Sequence, residues 1–146
     1  MGCRRRARGL IKVTAQRAKI AYLACMDWNV QHQEHRDWLS QLDFYEDQMR
    51  TFQKELLKIV QHRPDYLSIV EHVDEYRRIL LRKLEHMDAL RHAIMQHERQ
   101  ISNAEFAPAE AHEAVKVQLL EFVADFEKLK VNFRRFVAYN QPTNES

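Results

Sequence analysis

Apolar side chains recur at alternating steps of three and four residues along three long stretches of the chain. This spacing keeps side chains on one stripe of an α-helix. The stretches run from Trp28 to Gln61, from Ser68 to Ile101, and from Ala107-Pro108 to Asn140. The first stripe comprises His35, Trp38, Leu42, Tyr45, Met49, Phe52, Leu56 and Ile59, and the third comprises His112, Val115, Leu119, Phe122, Phe126, Leu129, Phe133 and Phe136. The sequence therefore predicts three long helices.

The second stripe contains more polar positions than the other two. Arg77, Arg91 and Glu98 fall in the same register as its apolar members, which are Val70, Val73, Leu80, Leu84, Met87, Ile94 and Ile101. Leu81 and Met95 widen this stripe on one flank. A broad, mixed face predicts a helix that is sandwiched between two others.

Helix-breaking and helix-capping residues separate the three stretches. Pro64 should end the first helix, because the residue before a proline is disfavoured in the α region. Ser68 and Glu71 have capping-box spacing, and Asn103 favours a helix stop. Proline suits a first turn, so Pro108 should open the third helix. Short connections make successive helices antiparallel. We predict an all-α fold, an up-down-up antiparallel three-helix bundle that dimerisation or a partner is able to complete to four helices.

Composition agrees with a helical class. The chain has 146 residues, 45% hydrophobic, with only 2 Gly and 3 Pro, and a many-stranded β fold needs more turn formers than that. Both cysteines, Cys3 and Cys25, precede the patterned body, so no disulfide framework is predicted and a cytoplasmic setting is the expectation. The expected organisation is an N-terminal arm at 1–25, a bundle at 26–140 and a polar tail at 141–146.

The N-terminal arm carries a strong positive charge. Residues 1–20 hold seven basic residues and no acid, which leaves the rest of the chain at a net charge of −5. Lys12, Arg17 and Lys19 interrupt any apolar signal region, and Arg6 stands where myristoylation needs Ser or Thr. Two interpretations stay open: a disordered or partly helical basic arm, or translation that starts at Met26. Binding to nucleic acid or an anionic surface would depend on residues 1–25, and no membrane span is predicted.

The chain is histidine-rich, with eight histidines, and the topology gathers some of them. Counting outward from the two turns places His35, His97 and His112 towards one end of the bundle, with Glu34, Glu98 and Glu113 close by. The first count sets His35 opposite the neighbourhood of His92. Three imidazoles with carboxylates are a ligand set for zinc or iron. The candidate metal ligands are therefore His35, His97, Glu98 and His112.

Other interpretations of these histidines weigh against a metal site. Ferritin-like and hemerythrin-like bundles use Glu-x-x-His, His-x-x-x-His or His-x-x-x-Glu pairs, and none of these spacings occurs here. The nearest pairs on one helical face are His32-x-x-His35 and His72-x-x-Glu75. Buried histidines also form polar layers that set helix register, or act as pH sensors when they face a carboxylate.

The body of the chain, especially residues 35–52 and 71–98, resembles an uncharacterised group of small all-helical bacterial bundle proteins. The resemblance covers about residues 26–136 and implies the helical fold without an activity. Two glycines permit no phosphate-binding loop, and none of the serines has a nucleophile context. The expectation is a protein that is not an enzyme.

Three functions from different classes remain. The leading hypothesis is an interaction or structural module with coiled-coil spacing that self-associates or binds a protein partner. It rests on apolar residues outside the packing stripes, which are Phe44, Leu81, Leu120, Val131 and Val137. The alternative is a metal-binding bundle with its ligands at the His35, His97 and His112 end. The third is nucleic-acid or anionic-surface binding through the arm.

Overall fold

The fold consists of long α-helices packed side by side. A computed structural model describes the backbone of residues 3–63, 67–103 and 109–141, and side chains at 15–17 and from residue 28 onward within those ranges. In these ranges the helices are α1 (Cys3–His62), α2 (Leu67–Ser102) and α3 (Ala109–Asn140). The predicted all-α class is confirmed. Within the described residues, none of the helices combines the length and the hydropathy that a membrane crossing requires.

The helix ends lie close to the predicted positions, with one exception. α2 ends at Ser102, and the Asn103 amide closes its last turn by donating to the Arg99 carbonyl at 3.0 Å. α2 begins at Leu67, so Ser68 lies inside its first turn rather than capping it. α1 begins at Cys3 instead of near Trp28. Pro64, Pro108 and the tail beyond Gln141 lie outside the described residues, as do the side chains of most of the basic arm.

Contacts between the helices establish their directions. His35 of α1 contacts His97 of α2, and Asp43 of α1 contacts Arg91 of α2. Later residues of α1 thus meet earlier residues of α2, so these helices are antiparallel. Lys83 of α2 approaches Asp125 of α3 at 3.8 Å, and the rings of Tyr76 and Phe136 lie 4.9 Å apart, so α2 and α3 are antiparallel as well. α1 and α3 are consequently parallel, which agrees with the stacking of Phe52 on Phe133 at 4.3 Å.

The core is formed by the stripes that the spacing predicts. All eight members of the α1 stripe are buried, and six of the eight on α3 are buried as well. Aromatic rings of α3 fill much of the space between helices, with Tyr45 and Phe126 4.8 Å apart and Tyr76 and Phe133 5.4 Å apart. Aromatic pairs at these separations add roughly 0.5–1.5 kcal/mol beyond the burial of their area.

The charged positions of the α2 stripe have different surroundings. Arg91 pairs with Asp43 and Glu46 of α1, at 2.6 Å to each carboxylate, and thereby links the two helices. The hydrogen bonds from Arg91 and then from Arg50 lower the pKa of Glu46. Arg77 stays exposed beside Asp74 on its own helix.

The expectation that Leu81 and Met95 widen the packed face of α2 is wrong. These side chains are exposed. α1 and α3 also contact each other, so the three helices form a triangle and both neighbours of α2 lie on the same side of it. The opposite side of α2, with Leu81 and Met95, therefore faces solvent.

Replacing Phe126 by alanine should destabilise the protein by about 3–5 kcal/mol, because a fully buried ring leaves a cavity that its neighbours cannot fill. Phe44→Ala is the matched control, since Phe44 is exposed and should cost far less. The free energy of unfolding from urea titrations gives both values. Similar losses for the two variants would contradict the assigned core.

Candidate metal centre

Three buried imidazoles, one from each helix, meet at one end of the core. His35 of α1 is 1% exposed, His97 of α2 is 4% exposed and His112 of α3 is 9% exposed. Each offers a ring nitrogen, and these ligand atoms all lie within 4.8 Å of one another. The ring centroids are 5.0–5.3 Å apart. The structure thus brings together the three histidines that the topology places at this end.

Glu98 holds two histidines of α1 at once. Its Oε2 lies 2.5 Å from Nδ1 of His35, and its Oε1 is hydrogen-bonded to Nδ1 of His32. An ionised carboxylate only accepts hydrogen bonds, so both ring nitrogens donate. His35 consequently donates through Nδ1, and its Nε2 lies 3.0 Å from Nδ1 of His97.

His112 has the same kind of partner on a different helix. Its Nε2 lies 2.5 Å from Oε2 of Glu34. The same reasoning places the proton of His112 on Nε2. Its other nitrogen, Nδ1, is buried and has no hydrogen-bond partner among the described residues. Two imidazoles are therefore held from outside by carboxylates, and their other ring nitrogens face the interior of the layer.

His97 lies directly against these rings. Its Nδ1 is 3.0 Å from Nε2 of His35, whereas its Nε2 is buried without a hydrogen-bond partner in the described part of the chain. Burial lowers the pKa of His97, and the nearby charges of His35 and His112 lower it further, although Glu98 opposes them. His97 is therefore kept neutral, the form in which an imidazole has a lone pair to share.

The carboxylate of Glu98 stays ionised for a related reason. Burial raises its pKa, but the hydrogen bonds from His35 and His32 outweigh burial, and the net pKa is below the ordinary value. The layer thus combines a negative group at its edge, Glu98, with the neutral imidazole of His97. This is the electrostatic setting that a cation requires.

Two tryptophans flank the histidine layer. Trp38 is buried and stacks on His112, with centroids 4.9 Å apart, between the imidazoles and the apolar core that continues at Leu42. Trp28 stacks on His32 at 5.3 Å and is partly exposed. The first ring separates the layer from the core, and the second covers the outermost imidazole.

One detail of the sequence prediction is wrong. His35 faces His97 and Glu98, whereas His92 is exposed. A turn centred near residue 63 predicts that His35 lies opposite the neighbourhood of His92. The midpoint of the contacting pair 35 and 97 is instead residue 66, next to the first residue of α2. Of the three glutamates that the sequence places near the layer, Glu34 and Glu98 bond to it, whereas Glu113 is exposed and has no ion pair or hydrogen bond with the described residues of the layer.

Sequence reasoning did not include His32 in the site. The signal was its position three residues before His35, which sets both rings on the same side of α1. The spacing does not show that the carboxylate of Glu98, on α2, is hydrogen-bonded to both rings.

Comparisons with models of protein families, with curated proteins and with solved structures found no match. We therefore infer a function from the geometry of the site and the chemistry of its residues.

With a chelator present, the melting temperature should fall as the pH is lowered from about 8 to about 5.5. Histidine in the unfolded chain takes up a proton near pH 6.5, whereas His97 resists it in the fold, so the unfolded state gains protons first. Below pH 4.5 the stability from the lowered pKa of Glu98 should be lost too.

His97→Gln removes this titrating group and should make the melting temperature depend less on pH between 8 and 5.5. His92→Gln is the control, since His92 is exposed on the same helix. Equal pH dependence in the two variants would show that the acid sensitivity arises elsewhere.

Proposed function

We propose that this protein binds one divalent transition-metal ion, zinc in first place, through His35, His97 and His112. The observation that carries the proposal is the convergence of three buried imidazoles from three helices, with ligand atoms within 4.8 Å of one another. Imidazole nitrogen is a preferred ligand of zinc, copper, nickel and iron.

The carboxylates support a metal by fixing the tautomers. Metal-binding histidines usually donate their second N–H to a carboxylate, which orients the ring and raises the basicity of the nitrogen that binds the ion. Glu98 and Glu34 stand in this position relative to His35 and His112. The orphaned Nδ1 of His112 and Nε2 of His97 show where lone pairs are available.

The separations fit a tetrahedral ion after small ring movements. Zinc binds imidazole nitrogen at about 2.0–2.1 Å, which puts neighbouring ligand nitrogens about 3.3 Å apart. In the structure the ligand nitrogens of the three histidines all lie within 4.8 Å of one another. Tetrahedral binding therefore requires these nitrogens to approach one another by up to about 1.5 Å, which rotation of the side chains supplies.

A purely structural polar layer explains the geometry less well. An unpaired buried polar atom costs about 1–3 kcal/mol, and this layer contains two such nitrogens. A metal ion would satisfy both by accepting their lone pairs. The burial of all three rings leaves little room for a substrate, so we propose a binding role without catalysis.

Protein purified without chelator should contain close to one equivalent of metal per chain by elemental analysis, and this measurement also separates zinc from iron. For the metal-free protein, free zinc at 100 times its dissociation constant should add about 2.7 kcal/mol of stability, because the ion binds only the folded chain. His112→Gln should abolish the bound metal and this gain.

His92→Gln is the matched control and should bind metal like the unmodified chain, because His92 is exposed on α2 away from the layer. Substoichiometric metal in the purified protein, together with no change in melting temperature on adding zinc or iron, would contradict the proposal. Unchanged binding by His112→Gln would also contradict it.

Glu34→Gln should weaken zinc binding by roughly 10- to 100-fold, because the amide holds the His112 ring less firmly and lowers the basicity of its Nδ1. Glu113→Gln is the control, since Glu113 is the exposed neighbour of His112 in the sequence and lies outside the layer. Competition titrations with a chromogenic chelator give both dissociation constants. Equal weakening by the two substitutions would point to net charge rather than to the hydrogen bond.

A further inference from the structure

α3 has an exposed apolar face on the side opposite the core. Val117, Leu120 and Val131 are 45%, 58% and 51% exposed, and Ala124 is exposed between them. Successive helical residues are rotated by about 100°, so positions 117, 120, 124 and 131 share one face. The core stripe, which includes Phe122 and Phe126, lies about 180° away. We call positions 113, 117, 120, 124, 128, 131 and 135 the outer seam.

Charges on the outer seam are distributed unevenly along the helix. Glu113 lies towards its N-terminal end, whereas Lys128 and Arg135 lie towards its C-terminal end. All three are exposed, and none has an ion-pair partner among the residues that the structure describes. The seam is therefore acidic at one end, apolar in the middle and basic at the other.

The order of charged and apolar residues along the outer seam matches a second seam that runs in the opposite direction. If two seams lie antiparallel with Ala124 at the centre, Val117 and Val131 stand at equal distances of seven residues on either side. Glu113 and Arg135 stand eleven residues away on either side, so each carboxylate meets a guanidinium of the second copy. Leu120 meets the aliphatic stem of Lys128, four residues from the centre, since long basic side chains cover apolar surface with their stems. A two-fold axis makes every such contact occur twice.

We propose that the occupant of the outer seam is a second copy of this chain, packed antiparallel along α3 with the two-fold axis at Ala124. Charge complementarity selects this partner, because a parallel copy would set Glu113 against Glu113 and Arg135 against Arg135. Alanine at the axis lets the two helix backbones approach closely. The dimer joins two complete bundles back to back instead of adding a fourth helix to one core. The dimer does not use the histidine layer, since that layer is buried in the core and the seam is exposed to solvent.

Cross-linking tests the geometry. In a Cys3→Ser, Cys25→Ser background, Ala124→Cys should form a disulfide-linked dimer rapidly on mild oxidation, because the two thiols meet at the axis. Gln118→Cys is the control: it is exposed on α3 but is turned about 120° from the seam, and it should cross-link at least tenfold more slowly. A mixture of Val117→Cys and Val131→Cys chains should cross-link faster than either chain alone.

Sedimentation velocity tests the energetics. The unmodified chain should dimerise, and Leu120→Lys or Glu113→Arg should raise the dimer dissociation constant at least tenfold. Combining Glu113→Arg with Arg135→Glu should restore it, while far-UV circular dichroism verifies that each variant is folded. A monomer at all concentrations overturns the proposal, as does a dimer that Leu120→Lys leaves unchanged. Equal cross-linking at positions 124 and 118 overturns it as well. Zinc titrations test the metal site by a different measurement, so a negative result for either proposal does not contradict the other.

Discussion

One polar layer in the core, formed by His35, His97 and His112, distinguishes the observed register of the three helices from its alternatives. Periodic apolar stripes tolerate a slip of seven residues, because such a slip sets one apolar side chain against another. The histidine layer does not tolerate it. A slip of seven residues between α1 and α2 would place His35 against Leu90 instead of His97, and Glu98 would lose both imidazoles. Each displaced imidazole would then be buried without a partner, at about 1–3 kcal/mol apiece.

Much of the fold follows from spacing alone, and the reasons are local. Steps of three and four residues specify the stripe that faces inward, and every stripe position of α1 from His35 to Ile59 is buried. The level of one helix against another depends on the length of the turn between them. An error of about three residues in the centre of the first turn moved the expected partner of His35 from His97 to His92. Capping signals do not correct such an error, because Ser68 lies inside its helix.

The composition of the site was harder to predict than its place. Topology brings His35, His97 and His112 to one level, since it depends only on helix direction and residue count. Which carboxylate meets which imidazole depends on side-chain rotamers across two interfaces. For this reason Glu34 is hydrogen-bonded to His112, whereas Glu113, which follows His112 in the sequence, is exposed. For the same reason a single residue, Glu98, binds both His32 and His35. Periodicity contains no information on those pairings.

If the proposed ion binds, the division of the site among three helices would link metal binding to folding. A ligand set on one helix, like the paired motifs of other metal bundles, exists whenever that helix forms. Here each ligand comes from a different helix, and α1 and α3 are separated by the whole of α2 in the chain. The three imidazoles therefore meet only when all three helices are docked, and the free energy of binding a metal there would become free energy of folding. The ion would tie the middle of α1 to the C-terminal part of α2 and the N-terminal part of α3.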